Sequence, residues 1–153
     1  MSTRKNAIWL VVGVLIGMAL AAPPFAAQAA KMSLKPAVIK VEDALSKGLT
    51  QKVGGFSFSV LAEGKTGGVE LFSLTSVKKH YHPMENHFLY IVKGRAKGQI
   101  GTVTAEVGPG DLVVIPAGKD YAHKLDAIGS EPVVFLLFSS PPFNPNDIVW
   151  VEK

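Results

Sequence analysis

Apolar and polar positions alternate along much of the chain between residues 56 and 139. Phe56-Ser57-Phe58-Ser59-Val60 shows this most clearly, because its side chains follow the two-residue period of a half-buried strand. Residues 69–77, 87–92, 99–107 and 112–115 are further predicted strands, and the wholly apolar run 133–139 is typical of a central one. Turn signals such as Gly108-Pro109-Gly110-Asp111 separate them. The pattern predicts an all-β sandwich or barrel.

The first thirty residues have the composition of a signal peptide. Arg4 and Lys5 precede the apolar run 7–22, and Ala27-Gln28-Ala29 is a suitable cleavage site. The alternative is a retained anchor, but a helix over that run would span only about 24 Å of the ~30 Å hydrocarbon core. We therefore expect a periplasmic or secreted protein with no stable membrane anchor after cleavage.

The remaining chain divides into three predicted segments. Residues 31–55 form an N-terminal arm, in which the stretch 41–49 favours either a short helix or an edge strand followed by a loop. Residues 56–140 form the β-barrel, with Phe88, Tyr90 and Phe135 expected in its core. Residues 141–153 form a C-terminal extension that wraps the outside of the barrel, with Phe143 and Trp150 packed onto it. The prolines at 141, 142 and 145 exclude a regular strand or helix over residues 141–145.

Composition narrows the possible functions. The formal charge is +4, and Arg4 and Lys5 supply two of these charges. The others are scattered without a basic block, so nucleic-acid binding has no support. The chain has no cysteine, which excludes disulfides, thiolate metal ligands and a lipid anchor on cysteine. The domain must therefore be stabilised by its core.

All four histidines lie in the predicted β region. His80, His82 and His87 belong to one stretch, KHYHPMENHFLYIVKG, and His123 follows the turn Pro116-Ala117-Gly118. Imidazole is a common metal ligand, and a His-x-His pair directs both rings to one side of a strand. The break at Pro83 lets the chain turn back, so that His87 can approach the pair. The sequence thus predicts a metal site in a small β domain.

The spacing of these residues resembles two motifs of the cupin family. His80-Tyr81-His82, four residues, His87, six residues and Gly94 resemble the first motif. Gly110, five residues, Pro116-Ala117-Gly118 and a later histidine resemble the second. The resemblance implies a cupin-type β-barrel or jelly roll (a double-stranded β-helix). It also implies a divalent metal inside the barrel, held by histidines and a glutamate.

Three positions depart from the family pattern. His87 stands where the family usually has the glutamate, and Leu74 replaces the glycine that opens the first motif. Tyr121 occupies the usual histidine position of the second motif, and His123 follows two residues later. Both side chains are expected to point inward because they share strand parity. Tyr121 is predicted to bind substrate through its hydroxyl, with an aromatic that fills the barrel as the alternative.

The predicted metal ligands are therefore His80, His82, His87 and His123. For His87 the alternative is a hydrogen bond beside the site without metal contact. Glu85 is interpreted as a solvated turn residue, with a ligand or a partner that orients a histidine as alternatives. Neutral nitrogen ligands favour Cu, Ni, Zn or Fe over Mg or Ca.

We accordingly expect an exported metalloenzyme that acts on a small oxygenated or anionic substrate, of dioxygenase, isomerase or lyase type. The alternative is a non-enzymatic periplasmic cupin that binds a metal or a small ligand. The resemblance further implies a homodimer.

Overall fold

The computed structural model describes residues 34–151, so the signal peptide predicted at residues 1–30 lies outside the described residues. No helix within this described part is long and apolar enough to span a membrane. The described chain contains one α-helix, α1 (Val41–Ser46). Its strands are β1 (Gln51–Val53), β2 (Phe56–Glu63), β3 (Gly68–Leu74), β4 (Ser76–Tyr81), β5 (Asn86–Lys93), β6 (Ala96–Ile100), β7 (Val103–Val107), β8 (Leu112–Ile115), β9 (His123–Ala127), β10 (Val133–Ser140) and β11 (Val149–Trp150).

Two antiparallel sheets enclose the core. The six-stranded sheet has the order β1-β2-β3-β10-β5-β8, and the five-stranded sheet has the order β11-β4-β9-β6-β7. The all-β double-stranded β-helix predicted from the sequence is confirmed. The apolar strand β10 lies between β3 and β5, so the central position expected for this run is confirmed.

Strand β5 shows how the alternation sorts side chains between core and surface. His87, Leu89 and Ile91 are buried, whereas Phe88 and Tyr90 point outward and are exposed. The expectation that Phe88 and Tyr90 belong to the core is therefore wrong. A strand with two-residue period cannot turn neighbouring residues to the same face, and the inward face is taken by the other three. Phe135, on β10, is buried as expected.

Two predicted strands are each divided in the structure. The run 69–77 is interrupted at Thr75, where the chain passes from β3 in the larger sheet to β4 in the smaller one. The run 99–107 forms the β6–β7 hairpin, with Ile100 paired to Val103. Gly101 adopts a φ of 53° in the intervening two-residue turn. Positive φ at this position is typical of such hairpins and is easiest for glycine.

The short helix, one of the two alternatives for residues 41–49, is present, whereas the expected position of Phe143 is wrong. A short helix and an edge strand both occur in the N-terminal arm, as α1 and then β1. At the other end, β11 pairs with β4, placing Val149 opposite Tyr81 and Trp150 opposite His80. Phe143 does not lie on the outside of the barrel. Its ring packs against the buried phenylalanines of the core.

A buried carboxyl group helps to hold this C-terminal segment. Glu70 on β3 is fully buried, and Ser139 Oγ donates a hydrogen bond to it at 3.2 Å. The same Oγ accepts the backbone N–H of Phe143 at 2.9 Å. Burial raises the pKa of Glu70 to about 8, because its carboxylate would lose its hydration without a cationic partner.

We predict that Glu70→Gln stabilises the protein at alkaline pH. The folded-state pKa of Glu70 lies above the ordinary value of 4.5, so its contribution is complete below pH 4.5 and is lost as pH rises towards 8. Glutamine retains an acceptor oxygen for Ser139 and has no proton to lose. Urea unfolding should therefore show a larger unfolding free energy for the variant at pH 9, and little difference at pH 5. Parallel pH profiles for the two proteins would contradict this assignment.

Candidate metal centre

The four histidines are all buried and come together between the sheets. His80 lies on β4 and His82 directly follows that strand. His123 begins β9 and is paired with His80 across the ladder, whereas His87 enters from β5 in the opposite sheet. The turn of the second motif fixes this arrangement, because Gly118 N–H donates to the carbonyl oxygen of His82 at 2.8 Å.

His80, His82 and His123 form a compact group. Each offers one nitrogen that lies within 4.8 Å of those of the other two. The ring centroids are separated by 4.3 Å for His80 and His123, and by 5.2 Å for His80 and His82. Zinc, for example, binds imidazole nitrogen at about 2.0–2.1 Å, so three such nitrogens are close enough to share one ion.

Backbone hydrogen bonds set the orientation of two of these rings. His80 Nδ1 lies 2.8 Å from the carbonyl oxygen of Lys78, and His123 Nδ1 lies 3.1 Å from that of Tyr121. A carbonyl oxygen only accepts, so each Nδ1 carries the proton and donates it. Each Nε2 then keeps its lone pair. This is the usual way in which a protein fixes a metal-binding histidine.

His82 carries a buried nitrogen without a partner. Its Nδ1 makes no hydrogen bond with any described residue, and the nearest carboxylate oxygen, Glu85 Oε2, is 3.9 Å away. A buried polar atom left unpaired costs roughly 1–3 kcal/mol. A metal ion fits a donor set of this kind, because it would engage lone pairs that the protein itself leaves unsatisfied.

Glu85 is a buried member of the site. Only 2% of its surface is exposed, so its interpretation as a solvated turn residue is wrong. Its Oε2 lies 2.8 Å from His87 Nε2, and its Oε1 accepts the backbone N–H of Asn144 at 2.7 Å. Asn144 lies 59 positions further along the chain, so the local sequence does not predict that Glu85 is buried. The sequence signal that could have placed Glu85 in the site is its position between His82 and His87.

His87 is displaced from the group of three and is oriented by Glu85. Its ring centroid is 4.1 Å from that of His82 but 6.4 Å from that of His123. His82, Glu85 and His87 form a second group with ligand atoms within 4.8 Å of one another. The structure thus brings all four predicted histidines together, with His87 hydrogen-bonded at one side. Its role as a ligand stays a prediction.

Burial controls the protonation of the site. It lowers the pKa of His82 to about 2, of His123 to about 3 and of His87 to about 4, and it also lowers the pKa of His80. Neighbouring histidines add to the effect at His82 and His123, because a second positive charge nearby is unfavourable. Burial raises the pKa of Glu85 to about 8. At neutral pH the imidazoles are therefore neutral, which is the form that binds metal.

The histidines face a small apolar cavity with a volume of about 50 Å³. Its walls are mainly aromatic and aliphatic, with Phe72, Leu89 and Phe135 among them. Phe143 and Ile148, from the C-terminal segment, also line it. Phe143 lies 6.0 Å from the ring of His87 and 6.3 Å from that of His82. The cavity has room for a few water molecules or a very small ligand.

Tyr121 does not reach this cavity. It lies in a 3-10 turn before β9, its side chain is exposed, and it lines a separate surface depression with Val114 and Pro116. The expectation that Tyr121 and His123 both point inward is wrong, because strand parity applies only from His123, where β9 begins. What Tyr121 contributes to the site is its backbone carbonyl, which holds His123.

Comparison with known proteins agrees with this architecture. Residues 73–139 match the family described as "Cupin domain". An uncharacterized protein of Methanocaldococcus jannaschii is 34% identical over 84 residues, which cover 55% of this chain and 64% of that protein. The match therefore spans less than two thirds of this relative.

Two solved structures share the fold. A conserved protein of Klebsiella pneumoniae with a double-stranded β-helix domain aligns over 78% of this chain and 100% of its own, with a TM-score of 0.59 and 19% identity. The Streptomyces nucleoside dehydratase Pac13 aligns over 67% and 82%, with a TM-score of 0.55 and 17% identity. At these identities the likeness extends to the fold alone. The two motifs, the paired sheets and the matched stretch together show that residues 73–139 form a cupin domain.

Proposed function

We propose that this protein is a metal-dependent cupin that binds one divalent transition ion through His80, His82 and His123. The observation that carries the proposal is the convergence of three buried, neutral imidazoles inside a barrel of known metal-binding type. Two of them have their protons directed to backbone carbonyls, and the third has an unpaired nitrogen. Nothing else in the described chain satisfies that nitrogen.

The donor set limits which metals suit the site. Three neutral nitrogens favour Cu, Ni, Zn or Fe(II), whereas Mg and Ca prefer oxygen ligands. When bound, such an ion supplies a Lewis acid that polarises an oxygen atom. The ligands add no negative charge, so the site retains a charge near +2 and attracts an anionic or oxygen-rich ligand.

His87 and Glu85 form the polar wall next to these ligands. Their 2.8 Å hydrogen bond fixes the ring of His87, and the N–H of Asn144 in turn fixes the carboxyl group of Glu85. We infer that His87 hydrogen-bonds the ligand or substrate, or a water molecule next to it. Its Nε2 is already shared with Glu85, which leaves Nδ1 for this contact.

The small apolar cavity favours an enzyme acting on a small oxygenated or anionic substrate. An apolar wall excludes water and strengthens the electrostatic interactions of the few polar groups. The dehydratase Pac13 shows that this fold carries enzymatic chemistry, although fold alone does not assign a reaction. The proposed class remains that of dioxygenases, isomerases and lyases.

A non-enzymatic metal-binding protein is the second candidate. The observation in its favour is the small size of the cavity, whose walls include Phe143 and Ile148 and leave little room beside the histidines. In that case His87 would complete a four-histidine coordination sphere, and no position would be open to an external ligand.

We predict that a bound metal ion stabilises the folded protein. Purified protein should be loaded separately with Cu, Ni, Zn and Fe, and its melting temperature measured with and without a chelator. Loading should raise the melting temperature, because the ligands meet only in the folded state. Identical melting curves for all loaded and chelated samples would contradict the metal site.

Azide added to the copper-loaded protein distinguishes the two candidates. A new absorption band on azide addition is expected for the enzyme, because one coordination position is open. A copper-loaded protein whose spectrum does not respond to azide would support the closed, non-enzymatic site.

We further propose that the protein is exported, on the strength of the predicted signal peptide at residues 1–30. Expression of the full chain in a bacterial host, followed by fractionation and intact-mass measurement, tests this. Export predicts a soluble periplasmic or secreted product that begins at Ala30 or Lys31. A product that retains residues 1–22 in the membrane fraction would contradict it.

A further inference from the structure

Trp150 lies directly beside one of the proposed metal ligands. It pairs with His80 across the β11–β4 ladder, and side chains paired in this way project from the same face of a sheet. The ring centroids of the two side chains are 5.1 Å apart. His80 is only 5% exposed, whereas Trp150 is 40% exposed. The indole of Trp150 therefore lies between a buried imidazole and solvent.

The same indole connects the edges of the two sheets. Strand β11 is an edge of the smaller sheet, and the β1–β2 hairpin forms an edge of the larger one. Gly54, in the turn of that hairpin, packs closely against the indole: a Cβ atom added there would lie 2.6 Å from two of the indole carbon atoms. The contact thus needs a residue without a side chain at position 54. Together, Gly54 and Trp150 close the gap between the sheets next to His80.

Strand β11 is attached to the rest of the fold by few contacts. It has two residues, and in the described sheets it pairs only with β4. Directly after it, the N–H of Val151 donates to the carbonyl oxygen of Lys79 at 2.9 Å. All three residues from 149 to 151 are exposed. Short, exposed edge elements open at a lower free energy than central strands, so β11 can move away from Gly54 while the core stays folded.

The other three histidines are covered by parts of the core. His87 pairs with Ile115 of the edge strand β8, but Ile115 is buried and belongs to the hydrophobic core. His82 lies next to Phe143, whose ring packs against buried phenylalanines. His123 is on β9, which lies between β4 and β6. Access to any of these three would require core side chains or central strands to separate, whereas access to His80 requires only the indole to move.

We propose that Trp150 is the gate of the metal site: its indole must move away from Gly54 before an ion can pass between solvent and His80. The gate rests on the proposed metal centre and supplies the entry path that a buried metal site requires. It determines how fast the ion enters and leaves, and not how tightly the ion binds. His80 keeps its orientation without Trp150, because its Nδ1 donates to the carbonyl oxygen of Lys78.

The test measures zinc exchange in protein recovered after expression of the full chain. Uptake is followed by stopped flow, and release by transfer of zinc to an excess of a chromogenic chelator. Trp150→Ala should accelerate both steps at least about 10-fold, because opening of a cover commonly limits such rates. Since both rates rise together, Kd should change less than about 3-fold. Trp150→Phe should give intermediate rates. Val149→Ala is the matched control, because Val149 is on the same strand but points to the opposite face, and its rates should equal those of wild type.

Wild-type kinetics test the gate without any substitution. The uptake rate of wild type should level off as the zinc concentration rises, because movement of the indole becomes limiting. A rate that stays proportional to zinc concentration would overturn the gate. Equal exchange rates for wild type and Trp150→Ala, with zinc bound to both by elemental analysis, would overturn it and leave the metal centre in place. So would faster release without faster uptake, because Trp150 would then only support His80. Wild type that binds no zinc would contradict the metal centre, and the gate with it.

Discussion

His82→Ala should reduce metal affinity more than about 100-fold, a larger loss than the 10–100-fold typical of partners outside the coordination sphere. Among the described residues, His82 is common to both groups of potential ligands, and its buried Nδ1 has no hydrogen-bond partner there. Its removal leaves His80 and His123 on one side and His87 on the other. Competition with a chelator of known affinity, combined with elemental analysis of the loaded protein, measures the effect.

Three further variants show whether this loss is specific. His87→Ala and Glu85→Gln should each reduce metal affinity about 10-fold, because each removes or weakens the hydrogen bond between His87 and Glu85 beside the metal ligands. Lys78→Ala should change nothing, since His80 is held by the backbone carbonyl of Lys78 and not by its side chain. Equal losses for His87→Ala and His82→Ala would instead identify His87 as a full ligand.

The metal-free proteins provide a second control. His82→Ala removes a nitrogen that is unsatisfied in the metal-free fold, so the unfolding free energy of the metal-free protein should change by less than ~2 kcal/mol. A much larger loss would mean that His82 stabilises the fold itself. Its effect on loading would then reflect poor folding rather than a missing ligand.

The features that local spacing determines could be predicted from the sequence. The four histidines, the two motifs and the turns between strands all depend on residues a few positions apart. The two-residue strand period places His87 on the same face as Leu89 and Ile91, and all three are buried in the structure. The same period excluded Phe88 and Tyr90 from that face, and the preference of large aromatic residues for the core misled the interpretation.

The features that could not be predicted depend on contacts between distant parts of the chain. Glu85 is buried because Asn144 and His87 both reach its carboxyl group, and one of those contacts spans 59 positions. Polar residues next to a proline such as Pro83 are typical of an exposed turn, and only the packing of the C-terminal segment buries them here. Tyr121 was misplaced because the start of β9 depends on pairing with β4, which the local sequence does not reveal.

The position of the C-terminal segment also could not be predicted from the local sequence. Its prolines correctly excluded regular structure around Pro141 and Pro142, but they did not indicate on which side of the sheets the segment lies. That depends on two anchors, the hydroxyl of Ser139 for the N–H of Phe143 and the carboxyl group of Glu85 for that of Asn144. Together they insert Phe143 between the core and the histidines.

Phe143→Ala should therefore have the largest effect on stability outside the central strands. The Phe143 ring meets those of Phe58 and Phe72 edge-on at 5.2 and 5.3 Å. Phe→Ala in a core costs about 3–5 kcal/mol, and the partial exposure of Phe143 places it near the lower end. Urea unfolding should show a loss of about 3 kcal/mol, and the melting temperature should fall by roughly 10 °C. Phe143→Leu keeps most of the apolar volume and should cost less than half as much.

The same variant should enlarge the site, because the side chain of Phe143 is part of the cavity wall beside His82 and His87. Copper-loaded Phe143→Ala should bind imidazole, a five-membered ring, at least 10-fold more tightly than wild type, whereas azide affinity should change little. The comparison separates access from stability, since unfolding would weaken both ligands equally. Unchanged affinity for both ligands, together with a loss of stability, would mean that Phe143 only packs the core. An increase confined to imidazole would identify Phe143 as the residue that limits the size of the ligand reaching the histidines.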